Sequence, residues 1–103
     1  MPNIKPTKQA IALIEALKKR GVEVIPEYWD GHKHVDIFIP CAKLYIEIDG
    51  IQHYTDPKQF MADLARDNYS SEGKFYTKHI SNQLIETHVL EIADTIAEIA
   101  HKS

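Results

Sequence analysis

The chain has 103 residues, of which 44% are hydrophobic and 26% charged, and its formal net charge is −3. This length suits one domain over residues 1–103, and the negative charge gives no global attraction to nucleic acid or anionic membranes. The single cysteine, Cys41, excludes an intramolecular disulfide, and no apolar run approaches the roughly 20 residues that a membrane span needs.

The chain begins with a predicted helix and strand. Thr7 is a suitable N-cap, and the helix that it begins has an apolar stripe of Ile11, Ile14 and Leu17. Gly21 is typical of the position just after a helix end. The first strand follows at residues 22–29, where Pro26 indicates an edge strand or a bulge.

Two further strands complete a predicted β-meander. Asp30-Gly31 predicts a two-residue hairpin turn into a second strand over residues 32–40. After a short turn, the third strand covers residues 43–49 and alternates apolar with polar side chains.

The remaining elements are a helix, a strand and a helix. Asp56-Pro57 predicts the start of a helix that ends near Gly73. The fourth strand, residues 74–80, follows this helical crossover, so we expect it to lie parallel to a neighbouring strand. The last helix begins near Asn82. The predicted fold class is therefore α/β, in the order αβββαβα, with a mixed four-stranded sheet flanked by helices.

The tight turn between the second and third strands determines which side chains meet. If Ile39 faces Leu44, then Asp36 faces Glu47, and alternation puts both on the non-core face with Asp49. Two unit charges 4 Å apart repel by about 4 kcal/mol at an effective dielectric near 20, against a total stability of roughly 5–15 kcal/mol. Three explanations stay open: the carboxylates are solvated, one is protonated, or a cation such as Mg²⁺ lies between them.

A histidine follows the acidic strand at once. His53 comes four residues after Asp49, with Gly50 between them. An imidazole at that place can act as an acid or a base near neutral pH, and a surface or structural histidine is the alternative.

The stretches HVDIFIP and YIEIDGIQHY, followed by RDNYSSEGKFYTKHISN, resemble the PD-(D/E)XK nuclease superfamily. They look closest to its very-short-patch-repair-like endonucleases, over about residues 8–100. The resemblance implies a restriction-endonuclease-like fold. It also implies a metal-dependent endonuclease that hydrolyses DNA phosphodiester bonds, of a nicking or repair type, with Mg²⁺ as cofactor and Mn²⁺ as a substitute.

The resemblance also implies roles for individual residues. Asp36 and Glu47 would bind Mg²⁺, helped by the main-chain carbonyl of Ile48, and His53 would be the general acid or base or contact the phosphate. Asp49 stands where the superfamily usually has a lysine, and His53 or Lys78 would substitute for that lysine. The supporting residues are Glu15, Gln52 and Asp67, and the DNA-binding residues are Lys33, Arg66 and Lys78.

Two other classes of function remain open. A non-catalytic nucleic-acid-binding or interaction module with the same fold is favoured by Asp49 in the place of a lysine and by the negative net charge. The other is a small dimerising interaction protein whose acidic strand face is merely solvated. Because so small a chain has little room to read a DNA sequence, we expect either weak sequence specificity or assembly as a homodimer or with a partner subunit. The first residues lack the hydrophobic region of a signal peptide, so we expect a cytoplasmic protein without a membrane partner.

Overall fold

The computed structural model describes residues 7–50 and 56–102 and confirms the predicted order of elements. The helices are α1 (Lys8–Lys19), α2 (Pro57–Ser70) and α3 (Asn82–Lys102). The strands are β1 (Ile25–Trp29), β2 (His34–Ile39), β3 (Leu44–Asp49) and β4 (Tyr76–Ser81). A 3₁₀ turn at Pro40–Ala42 joins β2 to β3.

The four strands form one mixed sheet in the order β1-β2-β3-β4. β2 pairs antiparallel with both β1 and β3, whereas β4 lies parallel to β3, as the crossover through α2 predicts. Pro26 therefore lies in an edge strand, where a missing N–H donor is tolerated. Ile39 pairs with Leu44, so the register predicted for the β2–β3 hairpin is confirmed.

One face of the sheet forms a single hydrophobic core with the helices. The sheet contributes fully buried side chains from its two central strands, namely Ile37, Ile39, Leu44 and Ile46. Leu13 of α1, Phe60 of α2 and Ile92 of α3 belong to the same cluster. Burial of a large apolar side chain stabilises the fold by about 1.5–3 kcal/mol, which is why the helices cover this face of the sheet.

The helix ends follow the predicted capping chemistry. The Thr7 hydroxyl accepts the Ala10 N–H at 3.1 Å, and the Asp56 carboxylate accepts the Lys58 N–H at 2.9 Å. Pro57 is the first residue of α2, where its missing N–H leaves no intrahelical bond unmade. No helix within the described ranges combines the length and the apolar character that a membrane span requires.

Two local predictions are wrong. Ile11 is 44% exposed, because α1 packs chiefly against α3 through a face that contains Leu13 instead. The turn after β1 is a four-residue loop, since Trp29 pairs with His34. In that loop the Asp30 carboxylate accepts the N–H groups of residues 32 and 33 at 2.8 Å each, and these bonds lower the pKa of Asp30. A side chain that satisfies two backbone donors favours this longer turn over the two-residue one.

Candidate functional site

Asp36, Glu47 and Asp49 lie on the sheet face opposite the core, here called the acidic face. Asp36 Oδ2 accepts the backbone N–H of Ile48 at 2.7 Å, which holds this carboxylate against β3. The β2–β3 pairing runs through Ile37 and Ile46, and continuing it by one residue sets Asp36 opposite Glu47. The strand alternation and the hairpin register therefore carry Asp36 and Glu47 to the places that the sequence predicts.

Glu47 is bound by a lysine from the β1–β2 loop. Lys33 Nζ lies 3.0 Å from Glu47 Oε1 and 3.1 Å from Glu47 Oε2, so both carboxylate oxygens contact the ammonium. The Lys33 side chain is mostly exposed, and a pair of that kind contributes about 1 kcal/mol or less. Lys33, predicted to bind DNA, thus lies on the acidic face beside Glu47.

His79 of β4 also lies on the acidic face, a position that was not predicted from the sequence. In the parallel β3–β4 register His79 is opposite Glu47. Its Nε2 lies 3.5 Å from Glu47 Oε2, and its Nδ1 lies 3.7 Å from Asp49 Oδ2. A usable signal was present, because His79 alternates with Ile80, the apolar residue that marks the core side of β4.

Glu27 of β1 adds a fourth carboxylate, next to Asp36. Burial raises the pKa of Glu27, the negative charge of Asp36 raises it further, and His34 opposes the rise. Glu27 also has φ +51°, a left-handed backbone conformation that few non-glycine residues adopt. The sequence did not predict that Glu27 lies next to Asp36. The predicted two-residue turn would set Glu27 opposite His34 instead.

Two basic side chains thus flank Glu47. Lys33 approaches Glu47 from the β1–β2 loop, and His79 approaches it from β4. The Lys33 ammonium offsets part of the repulsion expected among Asp36, Glu47 and Asp49, and an imidazolium at His79 would add to this effect.

Lys78 is not brought to the acidic face. It is 9% exposed on the core side of β4, where its Nζ lies 2.7 Å from Asp67 Oδ2 of α2 and 5.9 Å from the centre of the Phe60 ring. Since successive side chains of a strand point to opposite faces, Lys78 and its neighbour His79 cannot both face Glu47. Lys78 therefore points away from the carboxylates, and the prediction that it reaches them is wrong.

Other predicted site residues lie on the helices or outside the described ranges. Glu15 is exposed on α1, and Arg66 pairs with Asp63 on α2, so both lie on helices and not on the strands of the acidic face. Both helices pack on the opposite side of the sheet through their buried residues. Gln52 and His53 fall within residues 51–55, outside the described residues.

The carboxylate oxygens of the acidic face are the kind of ligand that a hard cation prefers. Mg²⁺ is held in proteins by one or two carboxylates together with waters, so Asp36 and Glu47 supply the type of oxygen that it needs. The Ile48 backbone lies beside Asp36, as its N–H contact shows. Among residues 7–50 and 56–102, however, no three His, Cys, Asp or Glu side chains are grouped closely enough to hold a metal ion.

An aromatic cluster continues the acidic face toward the other end of the sheet. It contains Tyr28, Phe38, Tyr45 and Phe75. The Phe38 and Tyr45 rings are 4.8 Å apart, and the Tyr45 and Phe75 rings are 5.7 Å apart. Stacked rings of this kind are worth about 0.5–1.5 kcal/mol beyond their burial, so this half of the face is a packing layer.

Comparison with known proteins identifies the fold. No protein-family model and no curated protein sequence matches the chain. Among solved structures, the catalytic domain of the homing endonuclease I-Bth0305I is similar, with a TM-score of 0.56 and 14% sequence identity. The match covers 90% of this chain and 93% of that domain. At this identity the likeness concerns the fold alone: the chain has the α/β architecture of an endonuclease catalytic domain.

Proposed function

We propose that this chain is a metal-dependent endonuclease that hydrolyses DNA phosphodiester bonds, as a nicking or repair-type enzyme. The observation that carries the proposal is the pair of carboxylates, Asp36 and Glu47, which adjacent strands hold on the open face of an endonuclease-like fold. Placement in the very-short-patch-repair-like branch is part of the proposal and rests on the motif residues alone.

Asp36 and Glu47 would hold Mg²⁺, or Mn²⁺ in its place, with the carbonyl of Ile48 as a third oxygen donor. When bound, such an ion lowers the pKa of a coordinated water and stabilises negative charge on the phosphate. His53 would exchange the proton with water or the leaving oxygen, and Asp49 would complete the acidic set. Lys33, at the rim of the acidic face, would attract the phosphate backbone of the substrate.

Cleavage of supercoiled plasmid tests the proposal. The parent protein is incubated with Mg²⁺, with Mn²⁺ or with EDTA, beside Asp36→Asn, Glu47→Gln and a matched control, Glu98→Gln. Glu98 is an exposed carboxylate on α3. We expect metal-dependent nicking by the parent and the control, and its loss in the two acidic-face variants. Nicking by Asp36→Asn at the parental rate would contradict the assignment.

A non-catalytic nucleic-acid-binding or interaction module is the second candidate. Two observations favour it: no three-ligand metal group exists in the part of the chain that the structure describes, and Asp49 occupies the place of a lysine. Fluorescence anisotropy with labelled DNA separates the two functions. Binding that EDTA leaves unchanged, without cut products under either metal, would select the module.

Assembly and location complete the proposal. A homodimer or a partner subunit would supply the DNA contacts for which one small chain has little room, and the protein would act in the cytoplasm. Sedimentation equilibrium at several protein concentrations measures the assembly directly. A monomer that cleaves DNA at full rate would remove the need for a second subunit.

A further inference from the structure

We propose that His79 is a further residue of the cleavage site and contacts the phosphate group that is cut. This inference rests on the proposed nuclease function. His79 is opposite Glu47 in the parallel β3–β4 register, and its two ring nitrogens approach Glu47 and Asp49 separately. A substrate phosphate that reaches these carboxylates therefore also reaches the imidazole.

Charge favours such a contact. A phosphodiester is an anion, and the acidic face presents four carboxylates, from Glu27, Asp36, Glu47 and Asp49. A metal ion, cationic side chains or N–H donors have to offset the repulsion before an anion approaches this group. Within the described part of the face, Lys33 and His79 both provide such a donor, and both contact Glu47.

Of the two donors, His79 is the better placed to position a phosphate. Lys33 lies in the four-residue loop and reaches Glu47 with a long, largely exposed side chain. His79 stands on a strand that pairs along its length with β3, and it has only two side-chain torsions. A donor fixed by the sheet loses less entropy when it binds, and its 50% exposed ring remains accessible to a ligand.

His79 also supplies the basic group that Asp49 cannot supply. Asp49 adds negative charge beside Glu47 where a phosphate has to come close. His79 reaches Asp49 from the neighbouring strand, at 3.7 Å, and so returns a nitrogen donor to the same place. Lys78 cannot do this, because it faces the core.

The test combines cleavage with binding. We would compare the parent with His79→Ala, His79→Lys and a matched control, His88→Ala. His88 of α3 also faces a carboxylate, since its Nε2 lies 3.8 Å from Glu91. Plasmid nicking gives kcat and KM, and anisotropy with labelled duplex DNA in EDTA gives affinity as a function of salt. Thermal unfolding of each variant reports whether it is folded.

For His79→Ala we expect a loss of about 100-fold in kcat/KM, the usual effect of removing one donor to developing charge. Measured at about pH 5.5, where an imidazole is ordinarily protonated, the slope of log affinity against log salt should fall by roughly 0.9, the value for one phosphate contact. His79→Lys should recover most of both losses, and His88→Ala should match the parent. A merely structural histidine would not change the salt slope or be rescued by lysine.

The outcomes separate this inference from the proposed function. A parent that cuts while His79→Ala cuts and binds like His88→Ala would overturn the role of His79 and leave the nuclease standing. A loss of activity with an unchanged salt slope and no rescue by lysine would also overturn it. If the parent binds DNA without cutting, the nuclease fails, and the salt slope alone decides whether His79 contacts phosphate. A parent that neither cuts nor binds overturns both.

Discussion

Lys78 of β4 and Asp67 of α2 form an ion pair on the core side of the sheet, with 2.7 Å between Nζ and Oδ2. The lysine side chain is 10% exposed, whereas that of Asp67 is 41% exposed. The pair therefore joins the crossover helix to the strand that follows it, with the lysine end buried above the Phe60 ring.

Removal of the Asp67 charge should destabilise the fold. A fully buried pair that loses one partner costs about 3–5 kcal/mol, and the exposure of Asp67 reduces this to about 1–2 kcal/mol for Asp67→Asn. Lys78→Met should cost less, because it removes the charge and keeps the apolar stem. Urea unfolding of the three proteins measures the difference.

The same Lys78→Met variant tests the catalytic role predicted for this lysine. Because Lys78 faces the core, folded Lys78→Met should nick plasmid at a rate close to that of the parent. If a stably folded variant lost cleavage while Asp67→Asn kept it, Lys78 would belong to the cleavage site after all.

Glu27 should make stability depend on pH. Its pKa is raised above the ordinary value of 4.5, chiefly by burial and then by Asp36. The folded state therefore holds the proton more tightly than the unfolded state, and stability falls as pH rises through the folded pKa. Glu27→Gln should have a higher Tm than the parent at pH 7, and this gain should vanish below about pH 4. Glu23→Gln, which removes an exposed carboxylate, is the control. A gain that does not change with pH would contradict the assignment.

Lys33 should stabilise the acidic face in a salt-dependent way. Lys33→Gln removes the ammonium that contacts both oxygens of Glu47, at 3.0 and 3.1 Å. Because the pair is partly exposed, we expect a loss of about 1 kcal/mol or less at low salt. In 1 M salt, where the Debye length is about 3 Å, the loss should shrink. Lys74→Gln serves as the exposed-lysine control, and equal losses at both salt concentrations would show that charge is not the cause.

Core packing should make the isoleucines Ile37 of β2 and Ile11 of α1 differ in their contribution to stability. Ile37→Ala opens a cavity under the centre of the sheet and should cost about 2–5 kcal/mol. Ile11→Ala, at a position that is 44% exposed, should cost about 0.5 kcal/mol or less. Denaturant midpoints with a common m-value measure both. Equal losses would show that Ile11 is covered in solution.

Local patterning was sufficient for the element order, for the helix caps at Thr7 and Asp56, and for the β2–β3 register. Each of these depends on residues a few positions apart: a capping oxygen with its N–H, or a tight turn with the two strands that it joins. Period-two alternation then placed Asp36 and Glu47 on the face opposite the core, because the apolar set could be buried on one side only.

The partners of those carboxylates could not be predicted in the same way. Glu27 depends on the length of the β1–β2 loop, which the Asp30 side chain changes. The choice between Lys78 and His79 depends on how β4 is set against β3 after a helical crossover. A buried lysine is unfavourable on local grounds, and an aspartate from α2 makes it tolerable. Alternation separates the side chains of a strand into two faces, but it does not show which face is covered. Contacts between elements distant in sequence decide that, and with it which basic residue faces the carboxylates.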